Sequence, residues 1–361
     1  MTLPPPRVGM AGTQYMARLH LRALRRAGAE VVAVASPNTA AEFATRHGIT
    51  AHYKDYRSML EDTPLDAVVI ATPNDLHYDV CLAAADAGRH VFCEKPLALS
   101  LGEADAMIAA CEQAGVVLMY AENLLFAPMI ERVCGPAARE EMGAPFLVKH
   151  VQGHGGPYSE WFWDIDRAGG GALMDMGPHS IHSVCHAMGA WPEAVTATLG
   201  RYLHGEKTLG EDHATILLHF PGGRLGVAEA SWAMPGGAGS LVAHGPGGQL
   251  TASLLQGPAL EAFHAPGTVR GGERGNRVHV PVDSSRQWGY DEQARHFVAV
   301  ISGREELRSG GADGRRVLEI ICAAYESARL GRRVPLPFAS DREKAIDHWL
   351  DEESGEWSEW D

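Results

Sequence analysis

The segment GGGALMDMGPHSIHSVCHAMG, residues 169–189, sets Asp175, His179, His182 and His186 at spacings of four, three and four. That puts them along one face of a helix if the helix is unbroken. A carboxylate beside an imidazole fixes its tautomer and raises its basicity, as a general base needs when it takes a hydroxyl proton while hydride leaves the same carbon. Proline sits best in a first helical turn, so Pro178 predicts a regular helix from near Gly177, with Asp175 just ahead of it. His182 and His186 read first as packing or supporting histidines. A carboxylate with imidazoles also suits zinc or manganese, which makes a metal on Asp175, His179 and His182 the alternative use of this face; the expectation is that no metal is bound.

Two more turns carry polar groups at the carboxyl ends of apolar runs, where open α/β sheets bind ligands. Residues 67–71 lead into Thr72-Pro73-Asn74, with His77 shortly after, and residues 90–93 lead into Glu94-Lys95-Pro96. A lysine at such a mouth hydrogen-bonds a substrate hydroxyl or titrates when desolvated, while Glu94 is placed to pair with it. The alternative for Lys95 is an ordinary solvated loop lysine.

GTQYMA, residues 12–17, stands where a dinucleotide turn reads GxGxxG. Gly12 meets the need for a tight turn, and Ala17 is an accepted third residue. Gln14 puts a side chain near the phosphates, where it either leans outward to hydrogen-bond an oxygen or marks a turn that has lost its nucleotide. The N–H groups of Gln14, Tyr15 and Met16 would open the following helix toward an anion. Strand two ends in Ala35-Ser36-Pro37-Asn38, with neither an acid for a ribose 2′-hydroxyl nor an Arg for a 2′-phosphate. Ser36 accepts NAD or NADP, and the lack of a cation in that turn favours NAD; Arg18 and Arg46 are the candidates to reach a 2′-phosphate, and both read equally as surface helix residues.

The elements that must position these groups follow from periodicity. In the first 120 residues, strands at 7–11, 31–35, 67–71, 90–93 and 116–120 alternate with helices at 16–26, 40–47, 78–87 and 101–114, the last opened by a Ser100/Glu103 capping box. This is a parallel sheet with crossover helices. After about Phe146 a helix at 173–188 is followed by strand-like runs at 195–202, 213–220, 224–232 and 277–282, which suggests an antiparallel sheet, and then by helices at 290–302 and 313–330. The expected fold class is α/β, with a dinucleotide-binding domain over 1–124, a second α/β domain over 125–340 and an acidic tail over 341–361.

Composition narrows the classes. Acidic residues outnumber basic ones by 45 to 31, for a net charge of −14, and no Lys/Arg run forms a stripe for a nucleic-acid backbone. No signal peptide and no apolar stretch of membrane-spanning length is evident, so a cytoplasmic protein is expected. The six cysteines lack CxxC pairs, as reduced packing residues do.

VGMAGTQYMARLH, IATPNDLH, FCEKPLALS and GGGALMDMGPHSIH, in that order, resemble the Gfo/Idh/MocA oxidoreductases, the relatives of glucose–fructose oxidoreductase and inositol dehydrogenase. The resemblance runs from Arg7 to about Phe338. It implies an N-terminal Rossmann domain, a C-terminal domain whose large open sheet is often used for homo-oligomerisation, and a nicotinamide cofactor. It also implies Lys95, Asp175 and His179 as catalytic residues, His179 as acid/base, Asp175 orienting substrate or base, and Lys95 on the reacting hydroxyl after a cis bond to Pro96. His182 stands where many relatives have Asp.

The expected substrate is a sugar, sugar derivative or cyclitol. GHGGPYSEWFWDIDRAGGG, residues 153–171, carries Tyr158, Trp161 and Phe162 with His154 and Trp163, the last two expected near ligand because aromatic faces beside polar groups suit sugar rings. Asn123 is expected to touch nicotinamide or substrate, and Tyr290 is left unassigned. Two other functions stay open. One is a redox-neutral enzyme that keeps NAD bound and uses transient oxidation for elimination or glycoside cleavage; the other is a sugar-sensing protein with a vestigial nucleotide site. In the tail, Trp349, Trp357 and Trp360 lie among carboxylates, and Trp349 at least is expected to dock.

Overall fold

The computed structural model describes residues 4–255 and 259–350, and Trp357 and Trp360 lie outside them. The chain divides into two compact units. The first takes in residues up to Ala98, Glu103–Arg132 and Pro281–Arg316, so it is discontinuous where the sequence suggested one cut after residue 124.

Six parallel strands build its sheet: β1 (Arg7–Ala11), β2 (Glu30–Ala35), β3 (Ala51–Tyr53), β4 (Ala67–Ile70), β5 (His90–Cys93) and β6 (Leu118–Tyr120), in the order β3-β2-β1-β4-β5-β6. Strands covered on both faces read as continuous apolar runs, and β4, AVVI, is buried at every position. Helices α1 (Tyr15–Arg26), α2 (Ala40–His47), α3 (Tyr56–Asp62), α4 (His77–Asp86) and α5 (Leu101–Ala114) are the crossovers. The order reverses between β1 and β4, so the turns after these strands flank the switch point at which such sheets take ligands. Strand β3 and helix α3 escape a periodicity reading because AHY carries no apolar run and α3 is only seven residues long.

Helices α6 (Pro128–Cys134), α7 (Pro136–Met142), α8 (Ile165–Ala168) and α9 (Ala172–Met188) follow, and later α10 (Tyr290–Ile301) and α11 (Gly311–Leu330). The late helix α10 belongs to the first unit. It packs on α1, with Phe297 edge-on to Phe92 at 5.1 Å in the core and Arg26 paired to Asp291 at 2.7 Å on the surface.

The second unit takes in Leu99–Gly102, Val133–Val280 and the chain from Val317. Its sheet joins β7 (Leu147–Gly153), β8 (Ala194–Gly200), β9 (His213–His219), β10 (Leu225–Ser231), β11 (Ala238–Gly245), β12 (Gly248–Ser253), β13 (Ala259–His264), β14 (Asn276–Val280) and β15 (Val334–Pro335). The order is β14-β13-β12-β11-β7-β10-β9-β8-β15, and only β7 with β10 runs parallel. In β9 the buried Ala214, Ile216 and Leu218 alternate with half-exposed neighbours, the period of a sheet covered on one face. Helix α9 covers that face and comes closest at Gly226, where a Cβ would stand 2.5 Å from Val184 Cγ1. Strands β7, β11, β12 and β13 go unseen in the sequence, the middle two because glycine, alanine and serine dilute their apolar alternation.

Because Phe297 ties a segment far along the chain into the Rossmann core, Phe297→Ala is expected to lower the unfolding free energy by about 3–5 kcal/mol. Urea denaturation checks this, and a loss below about 1 kcal/mol would place α10 outside the cooperative core.

Candidate functional site

In the first unit, Gly12 ends β1 with φ +106°, and a Cβ there would stand 2.1 Å from the Ala71 carbonyl oxygen, so no side chain fits this turn. Gln14 has φ −83° and extended backbone, which any residue adopts, and its side chain is exposed. The middle position of this turn therefore needs no glycine. Tyr15 and Met16 open α1 with no acidic residue in its first turn, which leaves the positive end of the helix dipole unopposed by a local carboxylate. At the mouth of β4, the buried Thr72 Oγ1 has no hydrogen-bond partner. A glycine cradle, an acid-free helix start and an orphaned hydroxyl are what a dinucleotide requires, and these residues fit it.

At the end of β2, Ser36 joins a cluster of hydroxyls, with Thr13 to Thr39 at 2.5 Å, Ser36 to Thr39 at 2.9 Å and Thr13 to Ser36 at 3.3 Å. The two arginines have other contacts: Arg46 pairs with Glu42 at 2.7 Å, and the Arg18 guanidinium lies 6.0 Å from the Tyr15 ring centroid.

The lysine turn is held from behind by two buried histidines. Glu94 meets His20 Nε2 at 2.5 Å and accepts the Lys95 main-chain N–H at 3.0 Å. Burial opposes ionisation of Glu94, but the His20 hydrogen bond and the charges of His20 and Lys95 outweigh it and hold the carboxyl below its usual value. His77 lies with Nδ1 2.8 Å from the Pro96 oxygen and Nε2 3.3 Å from the Thr72 oxygen. Burial lowers its pKa, so the ring is neutral, and the shorter contact assigns its one N–H to Nδ1. With that one proton His77 donates to the Pro96 oxygen of the Lys95 turn, in which the Lys95–Pro96 bond is cis, while Nε2 only stands against the Thr72 oxygen. Lys95 itself is half-buried. Asn74 is buried, and Asn123 is buried with its amide N–H on the Trp288 oxygen at 2.7 Å.

In the second unit, α9 is continuous over Ala172–Met188 with Pro178 inside it, so the helix expected over 173–188 is borne out and the start delayed to near Gly177 is not. The helix tolerates the proline because the residue before it is Gly177, whose missing Cβ removes the clash with the ring. Asp175 therefore lies in the first turn, with His179 four residues on. Asp175 is 6% exposed, accepts the Trp232 indole N–H at 2.9 Å and has His154 Nε2 at 3.8 Å. His154 Nδ1 accepts the Gly156 N–H, which leaves the proton of the neutral ring on Nε2, facing Asp175. Register explains the convergence: Ser231 of β10 pairs with Gly153 of β7 and with His213 of β9, so Trp232, His154 and Asp212 emerge together at one end of the sheet. His179 is half-buried, while His182 is buried with its ring stacked on Trp191 at 5.9 Å, among the packing of α9. Among the described residues no group of three or more His, Cys, Asp or Glu has the geometry to hold a metal ion.

Trp163 stands edge-on to Trp232 at 5.4 Å, and with Glu160, Asp164 and Lys207 it lines an open cavity of about 440 Å³. Trp161 stacks on Phe162 at 3.8 Å. Trp232, Lys207, Glu211 and Asp212 are the residues that sequence reasoning missed. Only GEDH, an acidic pair opening a strand, hinted at the last two. Trp349 docks on its own chain, stacked on Tyr325 at 6.5 Å.

Residues 6–122 match a family described as "Oxidoreductase family, NAD-binding Rossmann fold", and residues 137–251 match "GFO/IDH/MocA C-terminal domain". The chain is 31% identical to D-apiose dehydrogenase of Paraburkholderia graminis, covering 91% of this chain and 88% of that one. It is 27% identical to myo-inositol 2-dehydrogenase of Thermotoga maritima, over 91% and 98%. Among solved structures, levoglucosan dehydrogenase in complex with NADH and levoglucosan superposes with a TM-score of 0.83 at 26% identity, over 92% of this chain and all of that one. No helix among the described residues is long and apolar enough to cross a membrane.

The Glu94 geometry carries a pH dependence. Its folded pKa lies below the ordinary 4.5, so its stabilisation is present above pH 4.5 and is lost as pH falls through the folded value. In urea titrations, Glu94→Gln is expected to lower stability at pH 7 and to flatten this acid limb; an unchanged limb would mean that His20 does not hold the carboxylate.

Proposed function

The chain belongs to the Gfo/Idh/MocA family of oxidoreductases, and from that premise we propose that it moves a hydride between a nicotinamide dinucleotide and a secondary hydroxyl of a sugar, sugar derivative or cyclitol. The observation that carries this reading is Asp175, a carboxylate buried in the first turn of α9, gripped by an indole N–H and faced by an imidazole, with His179 one turn further on. That is an acid/base site, and Trp163, edge-on to the indole that grips Asp175, lines an open cavity of about 440 Å³.

In the oxidising direction His179 takes the hydroxyl proton as the C–H electron pair departs, leaving a carbonyl, and the reverse steps reduce it. A bound nicotinamide supplies the hydride acceptor. Asp175 fixes the orientation of base or substrate, and the ammonium of Lys95 hydrogen-bonds the reacting oxygen. Trp163 and His154 hold the sugar. The hydroxyls of Thr13, Ser36 and Thr39 offer neutral partners to a ribose and no cation to a 2′-phosphate, which favours NAD. The half-exposed face of the nine-stranded sheet is the surface for a homo-oligomer.

Isothermal titration with NAD, NADH, NADP and NADPH, after denaturing extraction of any bound cofactor, tests the nucleotide site. Micromolar binding is expected; no extracted nucleotide together with no binding at millimolar cofactor would overturn the reading. Myo-inositol, D-apiose and levoglucosan, the compounds after which the relatives are named, form the first substrate panel. Lys95→Met is expected to cut kcat by about 10²- to 10⁴-fold while leaving NADH affinity within a few-fold. Ser36→Asp is expected to raise the preference for NAD over NADP by about tenfold or more, because a carboxylate there binds a 2′-hydroxyl and repels a 2′-phosphate; an unchanged ratio would place the ribose elsewhere.

A further inference from the structure

We propose that the dipeptide Glu211-Asp212, which neither the sequence motifs nor the reaction assigns a role, is the positioning element of the acid/base site, fixing Asp175 through its helix and through its carboxylate at once. The proposal rests on the reading of Asp175 given above.

The helix side is the head of α9. A helix leaves its first N–H groups without intrahelical partners, and a Ser or Asp cap meets one of them. Here three successive N–H groups end on one residue from a loop far along the chain. Glu211 accepts the Leu173 N–H at 2.7 Å on Oε1 and the Gly171 N–H at 3.3 Å on Oε2, and its main-chain oxygen accepts the Ala172 N–H at 2.9 Å. The Tyr325 hydroxyl completes the set by donating to Oε2 at 2.9 Å. The glycines of GGG are the imprint of this docking. A Cβ on Gly171 would lie 1.9 Å from the Glu211 oxygen, and one on Gly170 would lie 2.3 Å from the Tyr325 hydroxyl. Asp175 follows two residues after Leu173, so the clamp and the carboxylate share one turn.

The carboxylate side runs through Asp212. Its main-chain oxygen accepts the Trp232 N–H at 2.7 Å, and the Trp232 indole holds Asp175 Oδ2 at 2.9 Å. The Asp212 side chain accepts the N–H groups of Tyr202, Leu203 and His204 at 2.6–2.8 Å, and the His204 ring lies 5.1 Å from Trp163. One dipeptide thereby sets the helix, the indole and the wall of the aromatic cavity. Glu211 and Asp212 are wholly buried. Capping a surface helix requires no buried acid, and burying one is costly unless it is fully met by donors. The geometry accounts for that cost as the fixing of Asp175 to a small tolerance.

The test uses Glu211→Gln and Tyr325→Phe in the full chain, with Asp175→Asn as reference, and reads kinetics on the substrate panel together with hydrogen–deuterium exchange of the peptide spanning 169–176. Expected are a fall in kcat of about ten- to a hundredfold for Glu211→Gln and a smaller fall for Tyr325→Phe, each with KM within a few-fold and NADH binding retained. Amide exchange at 171–175 speeds by about tenfold or more in Glu211→Gln. If Asp175→Asn abolishes turnover while both other variants keep wild-type kcat, the positioning role is overturned even if they melt earlier, since a merely structural role moves stability alone. If Asp175→Asn keeps wild-type turnover, it is the reading of the acid/base site that fails. Should no panel compound be turned over, the exchange rate decides, and unchanged protection at 171–175 overturns the proposal.

Discussion

A carboxylate taken out of water must be met by donors, or it draws its element back to the surface. In the second unit that constraint falls on Glu211 and Asp212, and both are met mainly by main-chain N–H groups of other segments. Burial outweighs the bonds from Leu173, Tyr325 and Gly171, which oppose it, and Glu211 is pushed up to about 7. The donors come from two places, the head of α9 and Tyr325 of α11. The head of α9, Tyr325 of α11 and the loop before β9 are therefore joined within the second unit, two residues ahead of Asp175.

The first unit solves a comparable problem with imidazoles. Lys95 follows an acid that would be expensive to bury alone, and His20 from α1 supplies the partner. His77 from the start of α4 donates to the same turn and packs against the one after β4. Two strand ends that bear functional groups are thus joined beneath by histidines that face the protein. Both rings are wholly buried.

Much of the scaffold was legible because period and composition are local. The runs at 7–11 and 90–93 give strands with the same bounds as observed, and 101–114 and 40–47 give helices likewise, since apolar spacing over one element needs no knowledge of its neighbours. Strands such as AGSLVAHG were hidden because their burial comes from sheet partners rather than from apolar side chains of their own. The run from Ala172 was harder for another reason. Pro178 argues locally for a break, and the relief at Gly177 together with the clamp from Glu211 carries the helix through.

By itself the sequence determined the residues proposed to do chemistry and the elements that bear them: Gly12 at a turn without room for a side chain, Lys95 after β5, and Asp175 and His179 four apart. Each of these is written in spacings of a few residues. Only the tertiary structure decided what stands around them. Trp232 on Asp175, Glu211 under α9 and His77 between two turns are contacts across tens of residues, fixed by strand register and by glycines whose purpose is visible only once the atom that fills their space is known. Register is a property of paired strands, and no single strand encodes its partner's place.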